Sequence, residues 1–198
     1  AVMTGGTSSN VVHADDHPQS IVLGADDDTL DGCGGIDTIG SASGDDLLIG
    51  GQGRDLIAGG ADNDSLQGGS QADTLKGGSG DDSLSGGQGQ DTLQGSSGDD
   101  ILNGDAKHDL IKGGIGNDSL FGGAGNDTLQ GSSGNDMLNG DAKRDMLKGG
   151  SGNDSLFGGR GKDTLIGGDG ADIFELSVKK DTIEDFSIAD GDFIEAPD

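Results

Sequence analysis

An aspartate recurs at every ninth position from Asp28 to Asp172 without a miss. Glycines gather ahead of each one. In GGAGNDTLQ, Gly122 to Gln130, they fill places one, two and four, and the aspartate is place six. Glycine tolerates positive φ and close backbone approach, so this spacing predicts tight turns whose carbonyls point inward beside the carboxylate. The donors are then all oxygen. Calcium accepts six to eight oxygens in a loose shell, whereas magnesium holds to a strict octahedron, so the set suits calcium. Aspartates stacked about 5 Å apart, as neighbouring strands would place them, would repel one another without a cation between them. Other chemistries find less support. His13, His17 and His108 have no ligand spacing with one another, which reads as solvated imidazole. No nucleophile–base pair or carboxylate dyad stands out, so no enzyme activity is expected.

The elements that must hold these oxygens follow from the same beat. Residues 23–175 divide into seventeen nonapeptides without an insertion. Place eight is Leu, Ile or Phe in all seventeen, and place one is Gly in all but two, Leu23 and Ser41. Places seven to nine predict a three-residue strand with its middle side chain inward and its flanking pair outward. So short a strand needs neighbours in register. Two nonapeptides, 18 residues, close one coil of a flattened solenoid, and odd and even units turn on opposite edges. At about 4.8 Å per layer the seventeen units make a rod roughly 40 Å long.

Composition says what must stabilise such a rod. Only 29% of residues are apolar, 43 are glycine, and the formal net charge is −26. Low hydrophobicity with high charge marks a chain that stays unfolded alone. The acidity excludes nucleic acid as a partner, because phosphates are repelled. No aliphatic run is longer than three residues, as in Leu47-Leu48-Ile49, far too short to cross a membrane. No basic region followed by an apolar stretch opens residues 1–22. Cys33 is the sole cysteine, so no internal disulfide can staple the chain.

The unit GGxGxDxUx resembles the calcium-binding nonapeptide of the RTX (repeats-in-toxin) proteins. The resemblance implies an all-β fold, a right-handed parallel β-roll solenoid of 18 residues per coil with a C-terminal cap. It divides the chain into 1–22, a leader, linker or N-terminal cap; 23–175, the roll; and 176–198, the capping segment. It also implies multiple Ca²⁺ ions between successive turns of one edge. The carboxylates carried over are Asp46, Asp64, Asp82, Asp100, Asp118, Asp136, Asp154 and Asp172 on the odd edge, and Asp55, Asp73, Asp91, Asp109, Asp127, Asp145 and Asp163 on the even edge. The carbonyls are those of Gly51, Gly53, Gly78, Gly80, Gly87, Gly89, Gly114, Gly116, Gly123, Gly125, Gly150, Gly152, Gly159 and Gly161. The function implied is a secreted module, exported by a type I system, that folds on meeting extracellular calcium. The alternatives are a self-assembling or adhesive surface protein built on the same roll, and the non-catalytic part of a secreted enzyme or toxin.

Departures from the unit are ordered. GSSGDDILNGDAKHDLIK at 95–112 returns as GSSGNDMLNGDAKRDMLK at 131–148, a 36-residue period. Place-four glycine gives way to Gln71, Lys107 and Lys143 on the even edge, and to Asp26 and Asp62 on the odd edge. Every basic residue of the repeat lies in an even unit. Lys107 and Lys143 are therefore read as cations replacing a calcium ion. Phe121 and Phe157, outward at place nine, are read as a self-association contact, with the roll ends as a second.

Overall fold

The computed structural model describes residues 2–4, 8–177 and 181–195. Residues 1, 5–7, 178–180 and 196–198, parts of the two flanking segments, lie outside the described residues. Among the described residues there are two parallel sheets of eleven strands, and consecutive strands alternate between them. Sheet I runs from Val2–Thr4 through Thr92–Ser97 to Thr182–Ile183; sheet II runs from Val11–His13 through Ser83–Gln88 to Phe193–Glu195. Across the repeats the register is 18 residues per coil, so Leu75 pairs with Leu93 and Leu93 with Ile111, while Leu66, Leu84 and Leu102 align in the other sheet. The chain is an all-β parallel solenoid.

The register explains the core. Place eight falls inward on every strand of the repeat, and these seventeen side chains, Leu30 through Phe174, are at most 2% exposed. Like residues thus stack on like, giving two facing files of apolar groups, one from each sheet, that form one core. Places seven and nine face outward, where Thr, Ser, Gln and Lys predominate.

The ladder extends beyond the seventeen units on both sides. Ser20–Val22 pairs with Thr38–Gly40, and Val11–His13 with Thr29–Asp31. Ile21 takes the place-eight position at 1% exposure, and place six is filled by Gln19 and Asn10. At the other end Thr182–Ile183 continues sheet I, with Asp181 at place six. Phe193–Glu195 continues sheet II with a 20-residue offset, Ile173 pairing with Phe193.

The 36-residue period is visible in the backbone. Sheet II strands shorten from six residues, Ser83–Gln88, to three, Ile101–Asn103. They stay at three thereafter; the period itself shows at place two, where Asp105 takes φ 68° and Asp141 φ 63° with Gly123 between them. The Asn103 amide donates to Asp105 Oδ1 at 2.8 Å while its oxygen accepts the Asp105 N–H at 3.1 Å; Asn139 and Asp141 repeat the pair. Past this point pairing survives only as bridges at Ala106, Ala124, Ala142 and Arg160.

Candidate metal centres

Each place-six aspartate sits at the junction of turn and strand, with its backbone carbonyl already in the sheet ladder; Asp46 O, for example, accepts the Ser65 N–H at 2.8 Å. The side chain is drawn inward. All seventeen, Asp28 to Asp172, are 1–4% exposed. One carboxylate oxygen is used structurally. Oδ1 of Asp64 accepts the Asp46 N–H at 3.0 Å, Oδ1 of Asp82 the Asp64 N–H at 2.9 Å, and Oδ1 of Asp100 the Asp82 N–H at 2.8 Å. The even edge repeats this, with Asp73 accepting from Asp55 and Asp109 from Asp91 at 2.8 and 2.7 Å.

The other oxygen has no such role. Oδ2 of all seventeen aspartates is buried and without a hydrogen-bond partner. A buried unsatisfied acceptor costs about 1–3 kcal/mol, and more when charged, so folded proteins keep few of them. In the fifteen units with glycine at place one, this oxygen points under that glycine. A Cβ built on Gly50 would meet Asp55 Oδ2 and the Gly68 carbonyl oxygen, each at 2.7 Å; one on Gly104 would meet Asp109 Oδ2 at 2.6 Å and Gly122 O at 2.8 Å. A carboxylate and a carbonyl of the next coil thus converge on space that any side chain would fill. That is why place one is glycine.

Turn carbonyls line the same edges. The Gly60 carbonyl stands where a Cβ of Gly78 would be, and the Gly80 carbonyl where one of Gly98 would be. Of the fourteen glycines whose carbonyls the resemblance nominates, eleven adopt positive φ, among them Gly51 at 99°, Gly78 at 136° and Gly116 at 137°. Gly89, Gly125 and Gly161 lie outside that range, and each faces the carbonyl of a non-glycine place four, Gln71, Lys107 or Lys143. The nominated aspartates come one per turn along two separate edges. Among the described residues no three His, Cys, Asp or Glu side chains gather as a conventional cluster. The donor set is therefore one carboxylate per turn plus main-chain oxygens, which fits calcium and not zinc.

Electrostatics point the same way. Burial pushes the carboxyls of Asp64, Asp73, Asp100, Asp109 and Asp145 up to about 7, from an ordinary 3.8. It pushes Asp82, Asp118, Asp136, Asp154 and Asp163 to about 6. The N–H bond to Oδ1 offsets part of the rise and nearby carboxylates add to it. Asp37, Asp46, Asp55, Asp91, Asp127 and Asp172 rise for the same leading reason.

Lys107 and Lys143 adopt φ 84° and 96° with exposed side chains. Among the described residues the ion pairs within 4.0 Å involve only histidines, His13 with Asp31 and His17 with Asp15. The acids beside the lysines are engaged by uncharged neighbours: Asp105 by Asn103 and by the Ser85 hydroxyl at 2.6 Å, Asp141 by Asn139. Lys107 still draws the Asp91 carboxyl downward, against the larger effect of burial.

A second ladder escaped the sequence reading. At place five on the odd edge, Asp27 Oδ1 accepts the Asp45 N–H, Asp45 Oδ1 that of Asn63, and so on through Asp81, Asp99, Asn117 and Asn135 to Asn153, which accepts from Ala171. The bonds run opposite to those of place six. An Asp or Asn every 18 residues was the available signal. Among the described residues the even edge has at place five only His108 Nδ1, accepting from the Asn126 N–H, and Asn126 Oδ1, accepting from that of Arg144.

A parallel solenoid whose turn edges carry buried half-partnered carboxylates among main-chain oxygens is the architecture of a calcium-binding repeat protein. The chain belongs to the RTX calcium-binding nonapeptide repeat family. The family model, which spans four copies of the repeat, matches residues 41–75, 58–93, 76–111, 94–129, 103–138, 112–146 and 139–174, together more than half of the chain. No curated protein matches the chain.

Proposed function

We propose that this chain is a structural calcium-binding module that works outside the cell and whose folding is driven by the ion after export. The observation that carries the reading is the row of seventeen buried Oδ2 atoms without a partner. Calcium, when bound, supplies the positive charge and coordination that these oxygens lack. The chain does the rest. Asp46 to Asp172 hold one carboxylate oxygen in the N–H ladder and present the other; the positive-φ glycines turn their carbonyls to the same edges. Because the donors assemble only when the coils stack, binding free energy becomes folding free energy. In a calcium-poor cytosol the acidic chain stays extended, as export requires; in millimolar calcium it coils. At Lys107 and Lys143 a side-chain cation supplies part of the charge that other turns take from the ion, a reading supported by the pull of Lys107 on Asp91.

Far-UV circular dichroism in EGTA and in calcium tests the coupling. A coil spectrum in chelator that converts to sheet on calcium addition is expected, and native sheet in excess chelator would overturn it. Anomalous scattering from calcium in crystals tests the edges separately: weaker peaks at the Lys107 and Lys143 turns are expected, and equal peaks everywhere remove the lysine reading.

A further inference from the structure

On the outer face of sheet II, Phe121 and Phe157 stand at place nine, two coils apart, with Asn139 registered between them. Both rings are half-buried. Asp141 lines a cavity with Phe157 and is held by Asn139; Asp105, held by Asn103 and Ser85, has the equivalent position in the unit before Phe121, 36 residues earlier. A shallow cavity of about 360 Å³ opens over Phe157, lined also by Asp141 and Glu175. An aromatic face with a carboxylate at its rim is a seat for an ammonium group.

The outer face of sheet I carries the complement. Lys112 and Lys148 are exposed at place nine, two coils apart, with Gln130 registered between them. Their strands also present Leu110, 50% exposed, and Met146, 48% exposed. Two coils span about 9.6 Å in either sheet, so the lysine pair and the phenylalanine pair have one spacing. The seats cannot be filled from within the molecule, because the two faces point away from each other.

The geometry points to a second copy of this chain as the partner: sheet I of one copy docks on sheet II of the next, seating Lys112 and Lys148 on Phe121 and Phe157 beside Asp105 and Asp141. The contact uses two different faces, so it is heterologous and can repeat into stacks. It goes beyond the calcium reading, since it concerns the outer faces of the two sheets and a partner copy.

Sedimentation velocity of the whole chain in calcium tests it, with circular dichroism confirming that each variant folds. The wild type is expected to associate as concentration rises, and less at high salt. Lys112→Glu/Lys148→Glu and Phe121→Ser/Phe157→Ser each lose one face, and each alone should associate at least tenfold more weakly. Mixed, they should form one-to-one dimers, because each supplies the face that the other lacks. A wild type that is monomeric at every concentration overturns the inference. So does a lysine variant that associates as well as the wild type, which would mean a symmetric phenylalanine contact, and so does a mixture that stays monomeric.

Discussion

Each place-six carboxylate divides its two oxygens between jobs, and substitutions can separate them. In Asp118, Oδ1 accepts the Asp100 N–H at 2.9 Å and Oδ2 has no protein partner. Asp136 in turn receives the Asp118 N–H. Asp118→Asn keeps an acceptor for the ladder and removes the charge, so it should fold in calcium but require more of it. Asp118→Ala removes both functions and should cost about 1–3 kcal/mol further. Asp99→Asn is the control, since place five already holds Asn at 117 and 135 in the same exposed ladder; it should change stability by less than about 0.5 kcal/mol. Calcium titrations followed by circular dichroism rank the three, and an Asp118→Asn midpoint equal to the wild type would contradict the assignment of Oδ2. A second residue-scale rule governs place four. The carbonyls of Lys107 and Lys143 stand where a Cβ of Gly125 or Gly161 would be, so glycine is required at those two positions. Gly125→Ala should therefore lower the thermal midpoint in saturating calcium, whereas Ala124→Ser, at an exposed neighbour, should leave it in place.

At the scale of the strand, stability is shared along a file in which each coil touches only its neighbours, as in other solenoids. Leu102 and Ile21 are equally buried, at 0% and 1%. Truncating either removes similar apolar area, and a core Leu→Ala costs about 2–5 kcal/mol. Leu102 lies mid-ladder, so Leu102→Ala weakens contacts on both sides and interrupts the file. Ile21→Ala lies near one end, where the loss is confined to a few coils. Urea unfolding in saturating calcium should show the larger drop for Leu102→Ala; equal drops would mean that the coils do not cooperate. The sequence displays these strands unequally. Leu30 to Phe174 are legible because place eight is always Leu, Ile or Phe and because Asp and Gly mark every turn. Ile21 and Val12 are not, since Gln19 and Asn10 fill place six and ADDHPQSIV has no glycine at all. Ile183 is in frame with Asp181, but Leu176 stands where a glycine would announce the unit. The pairing of Phe193 with Ile173 needs two extra residues, which no fixed period can show. The carbonyls proposed as donors are harder still, because every residue has a carbonyl and only the backbone angles decide which ones turn inward.

For the whole molecule the governing quantity is negative charge gathered as the coils stack. The formal net charge of −26 includes seventeen carboxylates that folding buries. A carboxyl raised from 3.8 to about 6 or 7, as for Asp82 and Asp64, is protonated in the roll over a range where the unfolded chain has lost the proton. The folded state then binds more protons than the unfolded one, so stability without calcium falls as pH rises from about 4 to 7 and is regained on acidification. On the proposed reading calcium binds the ionised carboxylates, so protons compete with it over the same interval. The two conditions must diverge. In EGTA, lowering pH from 7.5 to 4.5 should raise sheet content and the thermal midpoint. The midpoint gained on adding calcium should be greatest at 7.5 and should shrink below about 6, where the group represented by Asp82 begins to hold its protons. Paired melts with and without calcium across this range measure both slopes. A calcium gain that stays constant from pH 7.5 to 4.5, or a chelated sample that loses sheet on acidification, would show that the buried carboxylates are not what couples the ion to the fold.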